Sequence, residues 1–140
     1  MSLPANASAF IPQKPPMVMI DNIIQCNNSM IVTDFEIKEA CILVENHQLS
    51  VAGIMENIAQ TSAAQIGYMN QDQPVAIGVI GAINDFELFE IPPCGTIIHT
   101  EMTEELNLDQ AVLVTAKVYC EETLIASCKM KVFKTNKENE

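Results

Sequence analysis

The side chains best suited to moving protons lie close together in this sequence. They are Glu56, inside the run Leu49–Met69 (LSVAGIMENIAQTSAAQIGYM), Gln60 four residues after it, and His47 nine residues before it. An ionised carboxylate is costly to take out of water, so a carboxyl in so apolar a run must be paired, hydrogen-bonded or kept protonated. A carboxyl held in that way can donate or accept a proton; the other reading is a hydrogen bond across a subunit seam. Gln60, one helical turn on, is spaced to orient Glu56 and reads equally as a structural glutamine. His47 reads first as a loop or cap residue and second as a base. His99 shares an alternating face with Ile97, Glu101 and Thr103 and is expected to meet solvent.

The composition narrows the chemistry. With 140 residues the chain is expected to form one domain with a real core, residues 1–9 and 135–140 being loose ends. Its net charge is −11, from 18 acids against seven lysines and no arginine. A field of that sign repels nucleic acid and anionic lipid. The five cysteines (26, 41, 94, 120 and 128) contain no C-x-x-C pair, so they read as reduced, mostly buried thiols, with no metal site and no cofactor expected. No basic start followed by an apolar run suggests a signal peptide, and Glu, Gln or Asn interrupts each long apolar segment. A cytoplasmic location without membrane contact is the expectation.

These side chains need elements to hold them. The apolar run predicts a long helix capped by Ser50, with Asn46 as a competing cap, ending near Tyr68 and leaving through Asn70–Pro74. Almost all its faces are apolar, so it must be wrapped. Ahead of it, three prolines in IPQKPPMVM exclude a helix and give an extended approach. Strands follow at Asp21–Cys26 and Met30–Lys38, the second turning Ile31, Thr33, Phe35 and Ile37 to the core. Glu39–Gln48 bridges to the helix. After the helix, Val75–Glu90 reads as a strand disturbed at Gly78 and Gly81, and Ile91–Gly95 as a turn. Thr96–Thr103 is the next strand, followed by a polar loop through Glu104, Glu105 and Asn107. Ala111–Tyr119 and the strand from Leu124 to Val132 close the chain around a turn at Glu121–Glu122, with Val112, Val114, Ala116 and Val118 inward. One buried helix and an antiparallel sheet satisfy each other when the sheet curls around the helix. The fold class is therefore α+β, a hot-dog fold. An open sheet edge invites a second copy, so a homodimer or higher homo-oligomer is its natural completion.

Three segments in order carry a resemblance. IPQKPPMVMIDNII resembles the opening LPHRxPxLLxDRV of the hot-dog 3-hydroxyacyl-(acyl-carrier-protein) dehydratases. GIMENIAQTSA is similar to their helix motif G-x-x-x-E-A-x-A-Q, and IGVIGAINDFELFEIPPCGTI to their glycine-containing strand and Pro-Gly turn. The resemblance runs from Ile11 to about Lys134. It implies reversible loss of water from a 3-hydroxyacyl thioester, presented by a carrier protein or coenzyme A, in fatty-acid or polyene synthesis. It places Glu56 on the catalytic carboxylate and Gln60 on the glutamine one turn later. Ala52, Gly53, Ala59 and Ala63 would then leave a slot for an acyl chain.

The sequence departs from the family at the base. The G-H-F-P histidine ahead of the helix is absent, and the connection NHQLSVA is closer to divergent relatives in aryl-polyene and flexirubin pathways. Three readings stay open: Glu56 working with water, His47 substituting as base, or a non-catalytic acyl-binding subunit that partners an active dehydratase. A thioesterase is a fourth, since one fold hosts both chemistries. Carrier proteins are acidic, and Lys117, Lys129 and Lys131 form either a patch for one or ordinary protection of a sheet face.

Overall fold

A computed structural model describes residues 2–71 and 76–136, the side chains of 76–79 and 134–136 aside. The elements in chain order are β1 (Ala5–Asn6), a 3-10 turn (Ala7–Phe10), β2 (Asn22–Cys26), β3 (Met30–Glu36), β4 (Val44–Glu45) and β5 (Gln48–Leu49). Then come α1 (Val51–Met69), β6 (Ala76–Leu88), β7 (Ile97–Leu108), β8 (Ala111–Cys120) and β9 (Thr123–Asn136). Seven strands form one antiparallel sheet in the order β1-β2-β3-β7-β8-β9-β6, wrapped around α1, and β4 and β5 form a separate hairpin. This is the hot-dog arrangement.

The alternation of residue types produced the sheet. Ile31, Thr33, Phe35 and Ile37 are all buried, as are Val112, Val114, Ala116 and Val118 on β8 and Ala126, Cys128, Met130 and Val132 on β9. Across the sheet they meet Ile54, Ile58 and Ala64 of the helix. Ser50 caps the helix, its hydroxyl accepting from the Gly53 amide at 3.2 Å, an interaction worth about 1 kcal/mol. Asn46 is instead the first residue of the two-residue turn between β4 and β5.

Four expectations need correction. Within the first nine residues, Ala5–Ala9 is not loose: Ala5–Asn6 pairs with β2, Ala7 is fully buried, and Phe10 just beyond meets Tyr68 edge-on with ring centroids 5.3 Å apart. Gly67 explains the docking, because a β-carbon there would collide with the Phe10 carbonyl. At the other end β9 continues through Asn136, and residues 137–140 lie outside the described residues. The polar loop assigned to Glu104–Asn107 is strand: β7 runs on to Leu108, absorbing one residue as a bulge between Glu104 and Leu106. Of the five free cysteines only Cys128 is fully buried.

Gly81 marks a bulge between Ile80 and Ala82, packed under the Phe133 ring, whereas Gly78 stays in regular register. Asp72–Val75, the end of the helix exit and the first residue of the expected strand, lie outside the described residues. Among the described residues no helix is long and apolar enough to cross a membrane.

Candidate active site

The helix does not present its faces evenly. Gly53, Ile54, Asn57, Ile58, Gln60, Thr61, Ser62 and Ala64 are buried under the sheet and the approach segment. Met55, Glu56, Ala59, Ala63 and Ile66 are only half-buried. Glu56 therefore stands at the boundary between a dry, polar-stitched side of the helix and a partly open side made of small and apolar residues.

Gln60 creates that boundary. Its side chain is fully buried, and its Oε1 accepts from the Met19 amide at 2.6 Å. Its Nε2 donates to the Met17 carbonyl at 2.7 Å and to Glu56 Oε1 at 3.0 Å. Both protons of the amide nitrogen are thus spent inside the protein. Gln60, which the sequence reading also allows a place in substrate binding, hydrogen-bonds Glu56 and ties the proline-rich approach to the helix.

Asn57, which sequence reasoning passed over, completes the stitching. Its Nδ2 donates to the Met19 carbonyl at 2.7 Å, and its Oδ1 accepts from the Thr100 hydroxyl of β7. One turn later Thr61 donates to the Asn57 carbonyl at 2.8 Å and shares a 2.8 Å hydrogen bond with Thr33 of β3. The Asn57, Gln60, Thr61, Thr33 and Thr100 side chains all have partners, which is the condition for such a network to stabilise a core. The signal for it was present: Asn, Gln and Thr at i, i+3 and i+4 on a helix face otherwise destined for burial.

The small residues divide. A β-carbon on Gly53 would collide with Leu49 and press on Leu43, so this glycine admits the β5 segment to the helix and opens no slot. Ala52 is exposed in the first turn, and Ala59 and Ala63 are half-buried beside Glu56. Those three alanines share the Glu56 stripe of the helix by spacing, Ala63 packing against the core.

His47 sits elsewhere. It is the second residue of the β4–β5 turn, with Asn46 at φ 53° and His47 at φ 62°, a left-handed pair that closes a two-residue hairpin. Its side chain is 87% exposed, and its Nδ1 lies 2.7 Å from both carboxylate oxygens of Glu39. That hydrogen bond and the negative charge raise the imidazole pKa above its ordinary value, and the same contact lowers that of Glu39. The imidazole is engaged by Glu39, while Glu56 is held by Gln60. His99 is exposed on β7 beside Ile97, Glu101 and Thr103.

Lys117 is paired across the sheet with Glu101, and the Lys131 ammonium stands 5.3 Å from the Phe133 ring. Among the described residues no group of three or more His, Cys, Asp or Glu side chains is placed to hold a metal ion.

Comparison with known proteins gives this geometry a family. Residues 5–140 match the family model described as ApeP-like, ApeP dehydratase. No curated protein sequence matches. Among solved structures, the dehydratase heterocomplex ApeI:P from Xenorhabdus doucetiae aligns with TM-score 0.84 at 14% identity, over 99% of this chain and 95% of that one. A hypothetical thioesterase protein with coenzyme A from Streptococcus pneumoniae aligns with TM-score 0.69 at 9% identity, over 81% and 84%. The Escherichia coli PaaI protein from the phenylacetic acid degradation operon aligns with TM-score 0.66 at 12% identity, over 79% and 80%. At such identities these structures share the fold with this chain.

Proposed function

The chain belongs to the ApeP-like dehydratase family, and on that premise we propose that it removes water from a 3-hydroxyacyl thioester to give the 2-enoyl thioester, in fatty-acid or polyene synthesis in the cytoplasm. The observation that carries the reading is the Gln60–Glu56 pair: a carboxyl oriented by a buried, doubly anchored amide and facing a half-open strip of small residues. Dehydration needs a base for the proton on C2, made acidic by the thioester carbonyl, and an acid for the hydroxyl leaving C3. Glu56 is suited to the second role. Gln60 holds one of its oxygens, and Ala52, Ala59 and Ala63 share its stripe of the helix by spacing, where the acyl group would lie.

The test is conversion of a 3-hydroxyoctanoyl thioester of pantetheine, the fragment shared by coenzyme A and carrier proteins, followed by mass spectrometry. Glu56→Gln should slow enoyl formation by about 10²–10⁴-fold, the usual contribution of a positioned acid or base. Turnover unaffected by that change removes Glu56 from the mechanism. Release of the free acid in place of the enoyl product would identify a thioesterase.

A second reading is supported by the likeness to a dehydratase heterocomplex. In it the chain works as one subunit of an assembly, with a second copy or a related dehydratase subunit, and in the latter case contributes acyl binding without turnover of its own. The β6 strand, which has β9 on one side and ends the sheet, is the edge on which either partner would add. Sedimentation of the purified chain, alone and mixed with a histidine-bearing dehydratase subunit, separates the two assemblies.

A further inference from the structure

The hydrogen-bonded stitching of the helix stops at Ser62. Thr33, Asn57, Gln60, Thr61 and Thr100 are buried and partnered, whereas Ser62, only 5% exposed, has a hydroxyl without a hydrogen-bond partner among the described residues. A polar group taken out of water and left unpaired is costly, so its place needs a reason. Ser62 lines a pocket of about 190 Å³ between the second half of the helix and the sheet.

The floor of that pocket is apolar and its rim is polar. Val112 and Val114 of β8 and Val132 of β9 form the floor, and all three are buried. Gln65 and Glu104, both half-buried, stand at the rim. The rim is held in shape by the β2–β3 turn: Gln65 Nε2 donates to the Asn27 carbonyl at 3.0 Å, and the Glu104 amide donates to the Ser29 carbonyl at 2.8 Å. Immediately after Glu104 comes the β7 bulge, a device that re-aims side chains beside sites. Glu56 does not line this pocket. At six residues' separation, Ser62 and Glu56 leave the helix about 120° apart.

The lining dictates the chemistry of an occupant. Water needs about two to four polar partners, and three valines offer it none. A dry cavity of about 150 Å³ takes benzene, and a water-sized group fills about 30 Å³ more, so the volume here fits a six-carbon body with one further heavy atom. Glu104 is the one charged side chain in the lining, and a carboxylate repels an anion and accepts from a donor. Ser62 can either donate or accept. We propose that this pocket is a binding site for a small neutral hydroxyl compound, with phenol the best match in size. Its hydrocarbon body rests on the valines and its hydroxyl pairs with Ser62. The site is separate from the Glu56 stripe and does not depend on the dehydratase reading.

The experiment titrates the 15N-labelled full chain with phenol, with benzene, which lacks the hydroxyl, and with pentanoate, an anion with as many heavy atoms as phenol. Phenol should produce amide shifts centred on Ser62, Gln65, Val112 and Val114. It should bind about 5-fold more tightly than benzene, the worth of one neutral hydrogen bond, and pentanoate should leave those amides in place. Ser62→Ala should bring phenol down to the affinity of benzene. The same variant should keep the urea midpoint of the parent, because the hydroxyl has no protein partner to lose. Absence of phenol shifts, shifts centred elsewhere, or equal binding of phenol and benzene by the parent overturns the proposal. Undiminished phenol binding by Ser62→Ala, or pentanoate binding as tight as that of phenol, overturns it too. The comparison of the three probes on the parent decides the matter even if the variant fails to fold.

Discussion

Gln60 donates to Glu56 at 3.0 Å from one helical turn away while its other amide proton is held by the Met17 carbonyl at 2.7 Å. One side chain thus fixes both the carboxyl and the segment that crosses over it. The two residues should respond in opposite ways to substitution. Gln60→Leu strands the buried Met19 amide and the Met17 carbonyl and should destabilise the fold by about 2–4 kcal/mol, given roughly 1–3 kcal/mol per orphaned group. Glu56→Gln keeps shape and hydrogen-bonding capacity at a half-exposed site and should cost under about 1 kcal/mol. Urea unfolding of both variants decides this. A large loss for Glu56→Gln would mean that the carboxylate is structural.

Asn57 should behave as a keystone of the core. Asn57→Ala leaves the Met19 carbonyl and the Thr100 hydroxyl without their partner. A loss of about 2–4 kcal/mol is expected by the same arithmetic. Adding Thr100→Val to it should recover part of the loss, because one of the orphaned groups is then gone. Strict additivity of the two changes in denaturation would contradict the contact.

Gly67→Ala separates two effects of opposite sign. Within an exposed helix the change would stabilise by about 1 kcal/mol. Here the new methyl meets the Phe10 carbonyl, and displacing that backbone should outweigh the gain, for a net loss of about 1–3 kcal/mol. Hydrogen exchange should show the Ala7 amide, bonded to the Asp21 carbonyl at 2.9 Å, losing protection before the sheet does. A stabilised variant with Ala7 still protected would show that the N-terminal segment does not dock on Gly67.

The Glu39–His47 pair predicts a window of pH. Folding raises the His47 pKa, so its share of stability is fully present below the unfolded value of about 6.5 and is lost as pH rises through the folded one. Folding lowers the Glu39 pKa, so its share is present above the unfolded carboxylate value and is lost as pH falls through the folded one. The melting temperature of the parent, minus that of Glu39→Gln, should therefore be positive between these limits and shrink on either side. Both side chains are exposed, so the difference will be small and weaker in high salt. A difference independent of pH would sink the ion pair.

Burial pushes the Cys26 and Cys128 thiols up to about 11. At pH 8 roughly one such thiol in a thousand is ionised, against about one in four for an ordinary cysteine near 8.5. Iodoacetamide with peptide mapping should therefore label Cys128, only 2% exposed, slowest in the native protein and at an ordinary rate in denaturant.

What could be read from residue order alone follows the range of the interactions. The Glu56–Gln60 pair was legible because i and i+4 share a helix face, and β3, β8 and β9 because their alternation is local. The Ser50 cap was legible for the same reason. Asn57 was missed because its partners, Met19 and Thr100, are 38 and 43 residues away. The β4–β5 hairpin was hidden by strands of two residues each and by a turn that uses Asn46-His47 where glycine is the usual marker. His47 was noticed as a base of unknown support; its contacts with Glu39 and with the Cys94 amide became visible only when three segments were brought together.

The clasp of Phe10 over Gly67 also has a practical side for anyone handling this protein. It fixes the entry of the chain some 11 residues up the helix from Glu56, a rise of about 16 Å at helical pitch. An affinity handle or fluorescent fusion joined ahead of Ala5 would leave from the far end of the helix, clear of the carboxyl. A probe meant to report on occupancy beside Glu56 is better attached to Ala52, which is exposed in the first helical turn on the same face.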